Sequence, residues 1–352
     1  MSNHKLSIQL NCPLPKLDFD RITLGHGSGG LLTHKLLDNG VFKLLDNQWL
    51  SEQHDGAFLQ LNGQMAFTTD SFVVSPIFFP GGNIGDLSIN GTVNDLAMCG
   101  AEPLYLSLGF ILEEGLLMED LWEIILTIRE ACAAAGVQVV TGDTKVVERG
   151  KGDGIFINTT GIGKVHPEAA IAANRVQTGD KIIVSGEIAT HGMAIMSVRK
   201  GLEFEADITS DSTNLNHIIL RLLDEFGQEI KFLRDPTRGG VATVLNEIAK
   251  QTRLGVSLDQ RMIPIQEQVE SACEMFGLDP LYVANEGIFL AFVAPEIAEQ
   301  ALALLQSDEK TQNAAIIGEV VEAHAGQVVM RSRIGGKRVV GMLPGEQLPR
   351  IC

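Results

Sequence analysis

Short runs of β-branched and aromatic residues alternate along the chain with longer segments whose apolar residues recur every three or four positions, and this pattern predicts a mixed α/β protein in two halves. In the first half, "QMAFTTDSFVV" (64–74), "PLYLSLGFIL" (103–112), "VQVVTGD" (137–143) and "GIFINTTGIGKV" (154–165) read as strands. Between the second and third, "MEDLWEIILTIREACAAAG" puts Leu121, Ile124, Ile125 and Ile128 on one side of a helix that Gly136 stops. The turn-rich "HPEAAIAANRVQTGD" (166–180) separates the halves. The second half opens with the strand "KIIVSG" (181–186) and a helix over "HGMAIMSVRKG" entered through Gly192. Helices follow at about 213–226, 239–252, 265–276 and 296–306, with strands at "LGVSL", "LYVANEGIFLAFV" and "AAIIGEV". "QVVMRSRIGGKRVV" reads as a hairpin about Ile334-Gly335-Gly336. After Val340, the glycines and prolines of "GMLPGEQLPRIC" predict a flexible tail, and about a dozen extended residues reach roughly 35 Å. The expected organisation is an extension at 1–20, an N-terminal domain at 21–165, a C-terminal domain at 166–340 and a tail at 341–352 that carries Cys352.

Composition agrees with two domains: 352 residues, 45% hydrophobic and 20% charged, give ample core. The formal charge of −17 repels nucleic acid and anionic membrane surfaces, so neither is an expected partner. The first residues lack a basic segment followed by an apolar run, and no apolar run reaches about 18 residues, so a cytoplasmic location is expected. The five cysteines have no C-x-x-C spacing, which argues against a zinc cage or disulfide framework. Cys99, Cys132 and Cys273 sit in apolar or helical context as small hydrophobes, and Cys12 lies in the leader. Cys352 stands apart, the last residue of a tail free to travel.

Several segments make poor core. "GHGSGG" is a small-residue loop in which Gly27, Ser28, Gly29 and Gly30 offer donors to a phosphate, although it matches neither common phosphate-loop motif and a plain loop competes with that reading. Asp55, Asp70, Asp86, Asp95 and Asp143 each lie at a strand end or in a polar turn. One such Asp is usually a cap or turn former; several converging carboxylates suit a hard cation such as Mg²⁺ and the phosphates it carries. Asp86, Asn90 and Asn94 recur every four residues on one polar helix face, either solvated or lining a metal-nucleotide site. Lys145, two residues after Asp143, is placed to neutralise a transferring phosphoryl, or is an exposed strand-end lysine. In the second half, Arg234, Asp235 and Arg238 precede two glycines and a helix, an arrangement suited to anions. Glu286, between "AN" and an apolar strand, is either a turn residue or a partly buried carboxyl suited to proton transfer. His26, in the glycine loop, is either a phosphate contact or a solubilising residue, and His191, at the start of a helix, could contact the tail but reads first as structural.

Taken together, "GHGSGG", "FTTDSFVVSPIFFPGGNIGDLSINGTVNDLAMCGA", "FILEEGL", "VTGDTKVVERG", "RDPTRGG", "ANEG" and "PRIC" resemble the hydrogenase maturation carbamoyl dehydratases. That family belongs to the ATP-binding superfamily of aminoimidazole ribonucleotide (AIR) synthetase, also called PurM-like, with selenophosphate synthetase and thiamine-monophosphate kinase. The resemblance runs from about Ile22 to Cys352 and implies two α/β domains in a homodimer formed through the N-terminal sheets. It implies ATP at Gly27–Gly30, Asp70, Asn90, Asn94, Asp143 and Lys145, and Mg²⁺ at Asp55, Asp70, Asp95, Asp143 and Asp235. The implied reaction starts when a carbamoyltransferase, HypF, places a carboxamide on Cys352. ATP-dependent dehydration then gives a thiocyanate, and the cyanide passes to the iron of [NiFe] hydrogenase through a HypC–HypD complex. Lys145 is the expected charge-neutralising group, Glu286 the base, and Arg238 and Arg350 contacts for the tail or an anion. Two rival readings predict otherwise: a small-molecule kinase or synthetase of the same superfamily has no use for a terminal cysteine, and an assembly scaffold has none for ATP.

Overall fold

The computed structural model describes residues 19–201, 208–343, 345, 348 and 350–352. Most of the leader, with Cys12, lies outside the described residues, as does Pro344 in the tail.

A turn of 3₁₀ helix (Leu24–Gly27) and short helices α1 (Leu31–Leu36), α2 (Phe42–Leu44) and α3 (Gln48–Ser51) precede the first sheet. Its strands are β1 (Met65–Phe72), then, past a two-residue ladder of β2 (Phe78–Phe79) and β3 (Gly82–Asn83), β4 (Ala101–Glu113), β5 (Gln138–Val147) and β6 (Ile155–Val165). They lie in the order β1-β6-β4-β5, antiparallel except for the β4–β5 pair. Helices α4 (Ile84–Met98) and α5 (Met118–Ala135) cover one face. Asn83 starts α4 with a capping box: its side chain accepts from Gly85 N, while Asp86 accepts from Asn83 N at 2.6 Å. Asp86 is thus a cap, which is the ordinary reading of such a residue. In α5 the four predicted apolar positions are all buried, and Gly136 ends the helix in the left-handed region.

The second sheet has seven strands: β7 (Lys181–Val184), β8 (Ile230–Arg234), β9 (Gly255–Asp259), β10 (Leu290–Val293), β11 (Ala315–Val321), β12 (Val328–Arg331) and β13 (Lys337–Val340). Their order is β13-β12-β9-β11-β7-β10-β8, with β9–β12 the parallel pair. Helices α6 (Thr190–Lys200), α8 (Gly240–Thr252) and α9 (Glu267–Phe276) share one core with this sheet. Helices α7 (Asn216–Phe226) and α10 (Ala298–Gln306) share the other. β12 and β13 form the predicted hairpin.

Two expectations change. The strand predicted over 281–293 is confined to Leu290–Val293, because Val283–Gly287 is a buried irregular segment whose polar groups are taken up by side chains: Asn285 Nδ2 donates to Pro236 O (2.8 Å) and Val283 O (3.0 Å). Helix α6 begins two residues before Gly192, so His191 lies in its first turn.

Candidate active site around Cys352

Residues 350–352 run beside residues 73–75, joined by two main-chain hydrogen bonds without forming a regular strand pair. Val73 N donates to Cys352 O and Ser75 N to Arg350 O, each at 3.3 Å. Arg350 donates back to Val73 O at 3.1 Å and pairs with Asp153; Arg199 on α6 donates to Arg350 O and Ser75 O. The Ile351 side chain is 3% exposed, within the core of the first sheet. This docking carries the sulfur inward. There the Cys352 sulfur stands beside the Arg238 guanidinium and the Glu286 carboxyl, close enough for each to shift its titration. Burial, reinforced by the Glu286 charge, pushes the thiol up to about 12, so the docked sulfur keeps its proton at neutral pH. A cavity of about 560 Å³, lined in part by Ser71, Val73, Thr243, Tyr282 and Ala284, adjoins it.

Glu286 is held rigidly. Its backbone N donates to Asp211 Oδ1 (3.2 Å), and its carbonyl accepts from Asn94 Nδ2 (3.3 Å). Its Oε1 is buried and, among the described residues, has no hydrogen-bond partner. Burial, followed by the charges of Asp235, Asp211 and Asp70, raises its pKa well above the usual carboxylate range. Arg238 comes to the thiol because Gly240, at φ +60°, lets the start of α8 press on the 281–283 backbone: a Cβ there would stand 2.5 Å from Leu281 O. Arg238 also lies 3.8 Å from Asp70.

Asp70, Asp95 and Asp235 form an acidic group next to this. Thr68 donates to Asp95 Oδ2 at 2.8 Å, Ser71 N donates to Asp70 Oδ1 at 2.7 Å, and Asp235 is pushed up to about 7 by burial and then by the charge of Asp95. Among the described residues no three ligating side chains form a ready-made metal cage. The oxygen donors of Asp70, Asp95 and Asp235 are of the kind a hard cation takes, and their mutual repulsion is charge that a cation relieves.

The other nominated residues lie elsewhere. Asp143 and Lys145 pair at 2.5 Å, both exposed, on β5 at the opposite edge of the sheet from β1. Three strand spacings, ~14 Å, separate those edges. The glycine loop lies on β5 too: Gly27 approaches so closely that a Cβ would meet Val146 N at 2.5 Å. There, Gly27, Gly29, Asp143, Thr144 and Lys145 line the polar end of a pocket of about 210 Å³ whose other walls include Leu37, Val41, Leu108 and Phe110. Within the loop Ser28 donates to Gly25 O (3.0 Å), Gly30 caps α1, and buried His26 accepts from Thr23 N (3.0 Å), which makes that histidine a structural peg. Asp55 is exposed beyond α3, itself anchored to β5 by Asn47 Nδ2 to Val139 O (2.8 Å). The five nominated metal carboxylates are therefore not one cluster within a chain: Asp143 lies on β5, at the far edge of the sheet from Asp70 on β1. Asn90 and Asn94 clasp the second half instead of facing the glycine loop: Asn90 Nδ2 donates to Ser212 Oγ (3.1 Å), Asn94 Nδ2 donates to Thr213 O (2.9 Å), and Leu215 N donates to Asn94 Oδ1 (2.9 Å). Of the cysteines, Cys132 and Cys273 are buried as expected, whereas Cys99 is exposed just past the end of α4. Asp211 and Arg199 were not legible in sequence, since each acts across 75 or more residues, whereas the tail contact of His191, the less favoured of its two sequence readings, is present.

The chain, with one sheet in each half, belongs to the class of AIR synthase related proteins. The model of their N-terminal domain matches residues 53–165 and that of their C-terminal domain residues 177–331. The chain belongs, within that class, to the HypE carbamoyl dehydratase family: it is 49% identical to the carbamoyl dehydratase HypE of Rhizobium leguminosarum bv. viciae over 94% of this chain and 95% of that one. A crystal structure of hydrogenase maturation protein HypE in complex with ATP is similar at a TM-score of 0.90 and 48% identity, covering 94% of this chain and 99% of that one. A HypE–HypF complex matches at a TM-score of 0.77 and 44% identity, covering 89% of this chain and 100% of that one. Among the described residues no helix is long and apolar enough to cross a membrane.

Proposed function

We propose that the protein is an ATP-dependent carbamoyl dehydratase acting on its own Cys352, converting an S-carboxamide there to an S-thiocyanate that supplies cyanide for the iron of [NiFe] hydrogenase. The observation that carries this reading is the seating of the Cys352 sulfur between Glu286 and Arg238. In the balanced step, the carboxamide loses its oxygen and both N–H protons, ATP becomes ADP, and the oxygen leaves as phosphate. ATP, held with Mg²⁺, supplies the phosphoryl group that makes this oxygen a leaving group. Asp70, Asp95 and Asp235 would hold the metal with the phosphates. Glu286 takes one N–H proton, a role that suits a carboxyl whose pKa is raised, and the departing phosphate takes the other. Arg238 and Lys145 offset negative charge as the oxygen departs.

The docked thiol explains why another protein loads the group. A sulfur that holds its proton up to about pH 12 is a poor nucleophile, whereas an undocked cysteine has an ordinary thiol pKa. Loading therefore takes place with the tail out, on a partner of the HypF kind, for which a HypE–HypF complex is known, and delivery to a HypC–HypD complex requires the same exit. The neutral carboxamide then re-enters a site from which a charged sulfur is excluded. A kinase acting on a soluble substrate is disfavoured, because the chain's own tail fills this position.

The half-sites on opposite sheet edges suggest a homodimer. The sheet face away from α4 and α5 carries Phe67, 71% exposed, and Ile111, 45% exposed, and an apolar sheet face is stable when packed on another. A second copy there sets its β5 edge, with the glycine loop, Asp143 and Lys145, against Asp70 and Asp95 of its partner.

Intact-mass spectrometry after carbamoylation tests the reaction. The expected result is loss of one water's mass that requires ATP and Mg²⁺ and is absent in Cys352→Ala; a loss that survives that substitution overturns it.

A further inference from the structure

The imidazole of His191 lies wholly inside the protein, yet it touches the tail at the residue before the reacting cysteine. Its Nε2 is 3.0 Å from Ile351 O and its Nδ1 is 2.8 Å from Ser210 Oγ. A carbonyl only accepts, so Nε2 carries the proton, and Nδ1 accepts from the Ser210 hydroxyl. Ser210 Oγ in turn accepts from Ser212 N at 3.1 Å, which aims its proton at the ring. The Phe79 ring meets the imidazole edge-on, with centroids 5.6 Å apart. The ring therefore has one tautomer and one orientation.

The same short block fixes Glu286. Gly192 N donates to Ala284 O (3.1 Å) and Ala189 N donates to Asn285 Oδ1 (2.7 Å), so the first turn of α6 is bonded on both sides of His191 to the two residues preceding Glu286. A Cβ at Gly192 would stand 2.4 Å from Val283 Cγ1, which shows how closely the two segments approach. Successive tail residues are thus read by one rigid unit: Ile351 O by His191 and the Cys352 sulfur by Glu286. We infer that His191 is a positioning residue for the dehydration, a fixed donor that sets how deep the Ile-Cys end enters and hence where the sulfur and its carboxamide stand against Glu286 and Arg238. This inference rests on the function proposed above.

The test compares His191→Leu, which removes the donor, with His191→Gln, whose Nε2 amide can donate from about the same place. Two readouts are taken on the full-length protein, with melting temperatures to confirm folding. In the first, alkylation of Cys352 by iodoacetamide is followed by peptide mass without ATP or any partner, which separates it from exposed Cys99. In the second, the single-turnover rate of water loss is measured on protein already carbamoylated. We expect His191→Leu to expose Cys352 to faster alkylation and to slow water loss ten- to hundredfold, the range expected for a misplacement of about 1 Å. Carbamoylation by the partner should stay unchanged, and His191→Gln should recover most of both readouts. If His191→Leu does not fold, Ser210→Ala, which leaves the ring but frees its orientation, should move both readouts the same way. Wild-type alkylation and water-loss rates in folded His191→Leu would overturn the inference, as would a Gln variant as defective as Leu. Should wild type itself lose no water with ATP, the dehydratase reading fails, and the alkylation contrast still decides the positioning role.

Discussion

At the scale of the residue, the chemistry depends on where two protons are. Glu286, buried beside other carboxylates, binds its proton more tightly than an exposed glutamate and is correspondingly the stronger base once it ionises. Glu286→Gln keeps the shape and should lower the single-turnover rate of water loss by roughly 10²–10⁴, the usual worth of general base catalysis, while leaving carbamoylation of the tail intact. The Cys352 thiol gives a prediction with a definite sign. Docked, it titrates at about 12; released, near 9.0. Between those values the docked form holds a proton that the released form has lost, so docking is at full strength below about pH 9 and weakens as pH rises toward about 12. Protection of Cys352 from alkylation, corrected for the reagent's own pH dependence, should fall across that window; protection that rises there contradicts the buried thiol. Glu286 and Cys352 were legible in sequence because a carboxylate before an apolar strand and a cysteine on a glycine- and proline-rich tail both lack a reason to be core. For His191 the sequence raised the tail contact but ranked it below a structural role, because one histidine in a helix looks the same whether it fills space or holds a carbonyl.

Among the elements, the tail is the one whose behaviour the sequence described only in part. Its glycines and prolines predicted reach, but its seating depends on the edge at Val73–Ser75 and on a slot for Ile351, neither of which any local pattern reveals. The tail draws strength from two main-chain hydrogen bonds to this segment and takes specificity from the buried Ile351 side chain. Ile351→Ala should weaken docking by about 2–5 kcal/mol, seen as faster alkylation of Cys352 with little change in melting temperature, since the loss falls on the tail alone. The segment 281–293 teaches the converse. Its β-branched and aromatic residues read as a strand throughout, but Asn285 and Gly287 break the ladder and leave Glu286 on an irregular turn whose backbone groups are satisfied by Asn285, Asp211 and Asn94. Local propensity yielded there to long-range polar contacts. By contrast α5, α8, α9 and the β12–β13 hairpin lie where periodicity and turn residues put them, because their faces and stops are written in adjacent residues.

For the whole molecule, the sequence assembled one acidic site and the structure divides it between two sheet edges. Periodicity gives a strand's faces but not its neighbours, so it could not show that β1 and β5 lie at opposite ends of the sheet. Two measurements follow from the proposed dimer. Phe67→Asp should yield a monomer by sedimentation and lower ATP-dependent water loss, because it buries a charge in the sheet interface; an unchanged dimer would assign that face elsewhere. Mixing Asp70→Asn with Lys145→Ala, each inactive alone, should restore about a quarter of wild-type activity after subunit exchange, since half of the dimers would be mixed and each would hold one intact site. No recovery would place both residues in a site built by a single chain.

The seat of the tail also matters when no hydrogenase is being built. A cysteine attacks peroxide and disulfides through its thiolate, and oxidation beyond the sulfenic stage is not reversed in most proteins. With the docked residue half-buried and its ionisation suppressed, the closed protein stores its one carrier group in reduced form, so vulnerability to oxidants should be greatest in the intervals when the tail is out visiting a partner.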